Sequence, residues 1–378
     1  MKKYLIHIAV FLLMLTPASH AAYIDTDAEV AVVIDGHTGK VLFSKDKDKK
    51  TYPASMTKIM TTLIIFEKLA NETLSLDDKF LVSEKAWRER EGSSMFVEVD
   101  KEIRVEDLLR GIIVQSGNDA CIVVAENIAG TEESFAKMMT QKAKEIGMKN
   151  TNFTNSTGMY DKDNYSTVYD IALLSMHLIN EYPQYYHLFA ETEFEWSGIK
   201  QNNRNSLLYK NMGVDGLKTG HLSKSGYGLA ASAVDQNRRV ISVVNGFEST
   251  QKRTQGSSRL ITWAFREFTN LKLFEKEDIV GQVEISGASN KESDVSTGEE
   301  IIITVPKSKR DGLTTNIVVD DNISAPLNAG DKVGYLEISV PGEENQTYEL
   351  YATNEIDRSN IFVRFFNYLI NLILSLFN

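Results

Sequence analysis

The chain has 378 residues, of which 42% are hydrophobic and 25% are charged. These fractions are close to ordinary globular usage, so they exclude a collagen-like or low-complexity chain and allow a sizeable core. The formal net charge of −11 argues against nucleic-acid binding through bulk positive charge. Cys121 is the single cysteine, and Cys and His do not occur at zinc-binding spacing. We therefore expect no disulfide, resident metal or cofactor.

The N-terminal segment, residues 1–21, has the pattern of a secretory signal. Lys2 and Lys3 precede an apolar run, which is followed by Pro17 and the small-residue stretch 19–21. This order predicts export and cleavage near Ala21, with an uncleaved membrane anchor as the alternative.

The next part of the chain shows strand-like runs, then helices, then strands again. Residues 30–35 and 40–44 are joined by a glycine-containing turn, which predicts a hairpin. Pro53 precedes an apolar helix predicted from about residue 55 to 69. Helices dominate from about 105 to 182, with Gly130 and Gly147 as stops and Thr167 as a cap, before strands at 213–219, 227–234 and 239–246 and a helix over 257–268.

The pattern changes near residue 272. From 273 to 357, short apolar runs alternate with Gly, Asn, Asp and Pro turns, which predicts a small β-rich domain. We therefore predict a first domain over residues 22–272, a β-rich domain over 273–357 and a terminal helix over 358–378.

The terminal helix is predicted to be amphipathic. Its last 18 residues are apolar except for five polar residues at helical spacing, which fall within an arc of roughly 80°. A narrow polar stripe favours a helix lying on the membrane surface as a peripheral anchor. A helix docked on its own protein and a short membrane span are the alternatives. The five residues are Arg364, Asn367, Asn371, Ser375 and Asn378.

The motif Ser55-Met56-Thr57-Lys58 stands at the start of the first predicted core helix. Residues three apart on a helix share a face, so the Ser55 hydroxyl and the Lys58 ammonium can approach each other. Serine needs a neighbouring base to become a nucleophile, and a helix N-terminus offers free amides to a developing oxyanion. Taken alone, the pair is more often a helix cap and a solvated lysine.

Two further motifs have the same ambiguity when they are considered singly. Ser116-Gly117-Asn118 breaks two apolar helical stretches, which an ordinary turn would also do. Lys218-Thr219-Gly220 ends a strand-like segment, where lysine and threonine can hold a carboxylate and glycine lets a ligand approach the backbone. An edge-strand lysine and a turn glycine are the alternative.

Together, the three motifs in this order resemble those of the serine-reactive penicillin-binding enzymes. The contexts Pro53-Ala-Ser-Met-Thr-Lys58, Gln115-Ser-Gly-Asn-Asp-Ala120 and Gly216-Leu-Lys-Thr-Gly-His221 are similar to those of low-molecular-weight D-alanyl-D-alanine carboxypeptidases. The resemblance implies an α+β fold: a transpeptidase-like domain with an antiparallel sheet flanked by helices, then a small all-β domain and an amphipathic helix.

The resemblance also implies roles for individual residues. Ser55 would be the acylated nucleophile, Lys58 its proton acceptor and Ser116 a relay toward the leaving amine. Asn118 would hold the substrate's amide backbone, and Lys218 would bind its terminal carboxylate with Thr219 and Gly220 alongside. The oxyanion would lie between the backbone amides of Ser55 and His221.

One of these expectations has a physical basis of its own. Lys58 can act as a base near neutral pH only if its pKa falls far below its free value of about 10.4, and burial and the charge of Lys218 both act in that direction. We therefore predict a neutral Lys58 in the resting enzyme. Arg253 is a candidate to help neutralise the substrate carboxylate, with a solvated surface arginine as the alternative.

The function implied is a serine-type carboxypeptidase that removes the terminal D-alanine from peptidoglycan stem peptides and is acylated by penicillins, on the periplasmic face of the bacterial inner membrane. A class A-like β-lactamase is one alternative, although the loop 150–163 offers only Asp161 and Asp163 as a second carboxylate. A noncatalytic peptidoglycan-binding protein is the other. The expected partners are the stem pentapeptide ending in D-Ala-D-Ala, β-lactam antibiotics and the membrane surface.

Overall fold

A computed structural model describes residues 24–89, 91–289 and 292–360. The predicted signal and residues 361–378 of the predicted anchoring helix lie outside this part of the chain. The described residues form two compact units. The larger unit comprises residues 24–280 and 296–305, and the smaller unit comprises 281–295 and the residues from 306 onward.

Strands and helices alternate along the larger unit. Its strands up to residue 247 are β1 (Val30–Asp35), β2 (Val41–Lys45), β3 (Lys79–Leu81), β4 (Glu102–Arg104), β5 (Glu193–Trp196), β6 (Ile199–Asn202), β7 (Val214–Leu222), β8 (Gly226–Asp235) and β9 (Arg238–Phe247). Its helices are α1 (Lys58–Ala70), α2 (Glu84–Arg88), α3 (Val105–Ile113), α4 (Asn118–Ala129), α5 (Glu132–Glu145), α6 (Val168–Glu181), α7 (Pro183–Tyr186) and α8 (Thr250–Glu267).

The central element of the larger unit is a five-stranded sheet in the order β2-β1-β9-β8-β7. Its neighbouring strands are antiparallel, and the predicted hairpin forms with Ala31 opposite Lys45. Every residue of β1 is buried, as expected of a strand covered on both faces. Because β7 is at one end of the order, one of its sides is an edge of the sheet.

The helices contribute most of the main apolar core. Their ends coincide with the glycine stops and the cap that the sequence predicts. Gly130 and Gly147 have positive φ of 77° and 86° and lie at the ends of α4 and α5. The Thr167 side chain accepts a hydrogen bond from the Asp170 amide and caps α6. These three predictions are confirmed because the glycines and the cap act through local backbone chemistry.

Two helix starts differ from the prediction. Residues 54–57 form a 3₁₀ turn, and the α-helix begins only at Lys58. Helix α8 begins at Thr250, seven residues before the predicted start, with the Ser249 hydroxyl accepting from the Lys252 amide. The first two turns of α8 are polar, so the apolar period that reveals a helix is missing there.

The C-terminal part of the described chain is all-β, as predicted. Strands β10 and β13 pair with each other, and a second sheet has the order β11-β12-β16-β15-β14. The domain limits at 272 and 357 stay a prediction. Within residues 24–89, 91–289 and 292–360, no helix has the length and apolarity to cross a bilayer. The strands are β10 (Phe268–Phe274), β11 (Ile279–Glu284), β12 (Glu292–Thr297), β13 (Ile301–Pro306), β14 (Thr314–Val319), β15 (Lys332–Ser339) and β16 (Gln346–Ala352).

Candidate active site

Ser55 and Lys58 meet at the junction between the 3₁₀ turn and α1. The Lys58 Nζ lies 3.3 Å from the Ser55 Oγ. Lys58 is 1% exposed, whereas Ser55 is half-buried and lines a cavity. The structure therefore places a hydroxyl that a ligand can reach against an amine that bulk water cannot reach.

Two carbonyl oxygens hold the Lys58 amine from the other side. Lys58 Nζ donates to Asn118 Oδ1 at 2.7 Å and to the Thr157 backbone oxygen at 2.6 Å. Thr157 is fixed by a turn in which Asn155 Oδ1 accepts from the backbone amides of Thr157 and Gly158. Only glycine suits position 158, because φ is +81° and a Cβ would lie 1.9 Å from the Ala54 oxygen.

Burial lowers the pKa of Lys58 below its ordinary value of 10.5, and the charge of Arg204 acts in the same direction. The pKa of Lys218 is held well below the same value, first by burial and then by the charge of Lys58. The predicted direction for Lys58 is therefore the one that the structure gives. Burial is the main cause, and Arg204 is a contributor that the sequence did not indicate.

The Ser116-Gly117-Asn118 motif lies between α3 and α4. Ser116 has a positive φ of 60°, is buried and faces the cavity. Asn118 donates from Nδ2 to the Glu91 oxygen at 2.7 Å while its Oδ1 accepts from Lys58. The Asn118 amide, which was expected to hold substrate, thus already has a partner at both ends and holds the Lys58 amine in place.

The Lys218-Thr219-Gly220-His221 segment lies on β7, at the edge of the central sheet. Gly220 packs against the 3₁₀ turn so closely that a Cβ would lie 2.7 Å from the Pro53 oxygen. The His221 ring stacks on the Tyr227 ring with centroids 3.9 Å apart. Glycine at position 220 therefore lets the strand edge approach the turn that carries Ser55.

These elements enclose a cavity of about 500 Å³. Lys58 and Lys218 are not in its lining and lie buried in the wall behind it. No Asp or Glu is among the described lining residues. The predicted residues that do line it are Ser55, Ser116, Asn118, Thr219, Gly220, His221 and Arg253.

Arg253 and Arg204 add positive charge to the cavity lining. Arg253 is 4% exposed, so the alternative of a solvated surface arginine is wrong. Burial lowers its pKa to about 10, and its Nε has no hydrogen-bond partner among the described residues. Arg204 donates to the Ser93 hydroxyl. Sequence reasoning missed Arg204, because one arginine between β6 and β7 has no local pattern.

Asp119 is a second functional residue that the sequence did not reveal. Its carboxylate accepts from the Ser94 hydroxyl and from the backbone amides of Met95, Phe96 and Val97. Asp119 is buried and directly follows Asn118. One carboxylate thus joins the Ser116–Asn118 motif to the loop that contributes Gly92 and Ser93 to the cavity.

Lys218→Met is expected to stabilise the fold by about 1–2 kcal/mol at neutral pH. Because burial depresses the pKa of Lys218, the unfolded chain binds more protons than the folded chain between that pKa and about 10.5, and wild-type stability rises with pH across this window. Methionine has no titratable group, so it removes this pH-dependent component of the stability. Urea unfolding at several pH values measures it, with Lys162→Met at an 81%-exposed side chain as the control. An unchanged or lower free energy of unfolding would contradict the prediction.

No cluster of His, Cys, Asp or Glu able to hold a metal ion occurs among the described residues.

Comparisons with known proteins identify the family. Residues 16–249 match the family model for D-alanyl-D-alanine carboxypeptidase. The chain belongs to this family. Residues 268–358 match the model for the C-terminal domain of penicillin-binding protein 5.

Several relatives extend over nearly the whole chain. D-alanyl-D-alanine carboxypeptidase DacA of Haemophilus influenzae is 33% identical over 356 residues, which cover 93% of this chain and 91% of the relative. DacF of Bacillus subtilis is 36% identical over 326 residues, 84% of this chain and 82% of the relative. The predicted enzyme class is therefore confirmed: the chain is a carboxypeptidase of this family.

Solved structures confirm the predicted fold class. Penicillin-binding protein 5 from H. influenzae superposes with a TM-score of 0.84 at 32% identity, covering 90% of this chain and all of that chain. Penicillin-binding protein D2 from Listeria monocytogenes, solved in an ampicillin-bound form, has a TM-score of 0.59 at 29% identity and covers 64% of this chain and 99% of its own.

Proposed function

We propose that this carboxypeptidase cleaves the terminal D-alanine from peptidoglycan stem peptides through an acyl-enzyme on Ser55. The observation that carries the proposal is the buried Lys58 amine beside the Ser55 hydroxyl. A hydroxyl that a ligand can reach, next to an amine with a lowered pKa, is the arrangement that serine acylation requires.

The hydrogen bonds of Lys58 set the direction in which it meets Ser55. An uncharged amine has two N–H donors and one lone pair, and the carbonyl oxygens of Asn118 and Thr157 account for two donors. The remaining tetrahedral position faces Ser55 Oγ at 3.3 Å: in the ammonium it donates to the hydroxyl, and in the neutral amine it is the lone pair that can accept the Ser55 proton. Asn118 and Thr157 therefore orient Lys58 as an acceptor.

The reaction begins when Ser55 Oγ attacks the carbonyl carbon of the penultimate D-alanine and its proton moves to Lys58 Nζ. The oxyanion formed lies between the backbone amides of Ser55 and His221. The carbon–nitrogen bond then breaks, and Ser116 relays a proton to the leaving D-alanine amine. Water attacks the resulting ester, gives up a proton and releases Ser55 as a hydroxyl.

Positive side chains around the cavity suit a substrate that ends in a carboxylate. Arg204 and Arg253 line the cavity, and Lys218 lies behind it. Each has a pKa lowered first by burial, and an incoming carboxylate would raise the pKa of all three and favour their charged forms. We assign the terminal carboxylate to this group together with Thr219.

Penicillins would acylate Ser55 and leave slowly. A β-lactamase needs a carboxylate to direct water onto the acyl-enzyme, and the described cavity lining contains none. The Listeria relative was solved with ampicillin bound, which supports β-lactam binding by this chain. A noncatalytic wall-binding protein would have no need of a buried lysine with a lowered pKa beside this serine.

We also propose that the protein acts outside the cytoplasm at the membrane surface. The proposal rests on the predicted signal over residues 1–21 and the polar stripe of residues 361–378.

The test combines activity with mapping of the adduct. The protein is expected to release D-alanine from a D-Ala-D-Ala peptide and to form a stable adduct with a fluorescent penicillin. Trypsin cuts after Lys50 and Lys58, so the label should appear on the peptide of residues 51–58. Heat-denatured protein is the control and should not be labelled. A label on another peptide, or no label, would contradict the assignment of Ser55. Fast antibiotic turnover would favour a β-lactamase.

A further inference from the structure

The position of β7 at the edge of the sheet sets the direction of a bound peptide. If the proposed function is correct, the terminal carboxylate lies near Thr219 and the reacting carbonyl near His221. With these two positions fixed, a peptide added to the strand edge runs antiparallel to β7 and advances about 3.4 Å per residue. The residue third from the substrate's C-terminus then reaches the end of β7 at Leu222, where the chain turns through Lys224 into β8.

Three side chains contact one another beside the cavity-lining segments of Met159 and Leu222. We call them the rim cluster: Tyr52, Tyr160 and Lys224. Lys224 Nζ donates to the Tyr160 hydroxyl at 2.9 Å and lies 4.0 Å from the centre of its ring. The Tyr52 and Tyr160 rings are 5.1 Å apart in an edge-to-face arrangement. Met159, before Tyr160, and Leu222 both line the cavity.

The ammonium of Lys224 has no carboxylate partner among the residues that the structure describes, although the chain carries a net charge of −11. Two carboxylates lie nearby: Asp163 pairs with Lys162, and Asp161 accepts from the Asp163 backbone amide. The hydrogen bond that Lys224 donates to Tyr160 raises the pKa of Lys224, so the lysine stays charged at neutral pH. Tyr160 is 44% exposed, which leaves the cluster open to a ligand.

The geometry points to the rim cluster as a subsite for a negatively charged side chain on the substrate residue third from the C-terminus. Lys224 supplies the charge, Tyr160 fixes the ammonium and Tyr52 supports the Tyr160 ring. The cluster therefore determines which stem peptides the enzyme prefers, and it takes no part in the bond-breaking step.

The experiment compares two acylated tripeptides that both end in D-Ala-D-Ala. One carries glutamate and the other carries glutamine at the third position from the C-terminus, so they differ only in charge. We expect the full-length protein to release D-alanine from the glutamate peptide with a kcat/KM about 3–5-fold higher in low salt, the scale of an exposed ion pair. In about 1 M salt, where the Debye length is about 3 Å, the preference should shrink.

Variants assign the preference to the cluster. Lys224→Gln should lower kcat/KM for the glutamate peptide to that for the glutamine peptide, chiefly through KM, and Lys224→Glu should reverse the order. Tyr160→Phe should weaken the preference without removing it. Lys162→Gln, an equal change of charge at a neighbouring lysine paired with Asp163, should keep it.

The outcomes separate this inference from the proposed function. Equal cleavage of both peptides by wild type, or a preference that survives in Lys224→Gln, overturns the subsite while leaving the carboxypeptidase intact. Cleavage of neither peptide contradicts the proposed function. The acylation rate with a fluorescent penicillin, which lacks the third residue, should be the same in wild type and Lys224→Gln and shows that the variant is folded.

Discussion

Replacing Lys58 with arginine is expected to slow acylation of Ser55 by about 10³-fold, toward the level of Ser55→Ala. Arginine keeps the positive charge but does not lose its proton in proteins, so it cannot accept the serine proton. The measurement is the second-order rate constant for acylation by a fluorescent penicillin from about pH 6 to about pH 11.

The pH profile is the decisive readout for Lys58. Because burial lowers the pKa of Lys58, wild-type acylation should rise with pH as Lys58 loses its proton and should level off below pH 10.5, the ordinary lysine value. The profile of Lys58→Arg should show no such rise with pH. Lys68→Arg, the same change near the end of α1, should leave the profile as in wild type. Rapid acylation by Lys58→Arg at neutral pH would reject Lys58 as the base.

Asp119→Asn is expected to destabilise the larger unit by about 2–4 kcal/mol, because buried donors would face a donor instead of an acceptor. Its Oδ1 accepts from the Met95 and Ala120 amides, and its Oδ2 accepts from the Phe96 and Val97 amides. Asparagine keeps one oxygen, so either orientation sets its NH₂ group against two backbone amides. Urea unfolding measures the loss of stability.

The same substitution should affect catalysis in two ways. Displacement of the loop that carries Ser93 should lower the acylation rate by about tenfold or more, the scale of a misplaced binding group. The negative charge of Asp119 raises the pKa of Lys58, so its removal should move the rising limb of the pH profile to lower pH. Asp78→Asn, at an exposed carboxylate that accepts from the Ser75 amide, is the control and should change neither quantity. A fully stable Asp119→Asn variant would refute the role of this network.

The three motifs were readable because each is local. Ser55 and Lys58 are three residues apart, so the spacing of a helical turn alone predicts their contact. The Gly130 and Gly147 stops and the Thr167 cap likewise depend on backbone conformation within a few residues. The element order followed from these local signals, and the fold class followed from the family resemblance.

What escaped prediction depends on contacts between distant parts of the chain. Arg204 acquires its place because the segment after β6 folds against Ser93, more than a hundred residues earlier. The role of Asp119 depends on four partner groups in residues 94–97, which no local spacing connects to it. The contacts of Asn118 with Lys58 and Glu91 also required tertiary structure, since no local spacing joins them.

The larger unit is not a continuous stretch of sequence. It includes residues 296–305, which follow a segment, 281–295, that belongs to the smaller unit. There, the Thr304 hydroxyl hydrogen-bonds to Thr38 at 2.7 Å and its backbone oxygen accepts from Lys40, while β13 pairs with β10. A gene cut short at residue 272 would lose this returning strand and leave the tip of the first hairpin bare. Any minimal enzyme excised from this protein has to reach past residue 305.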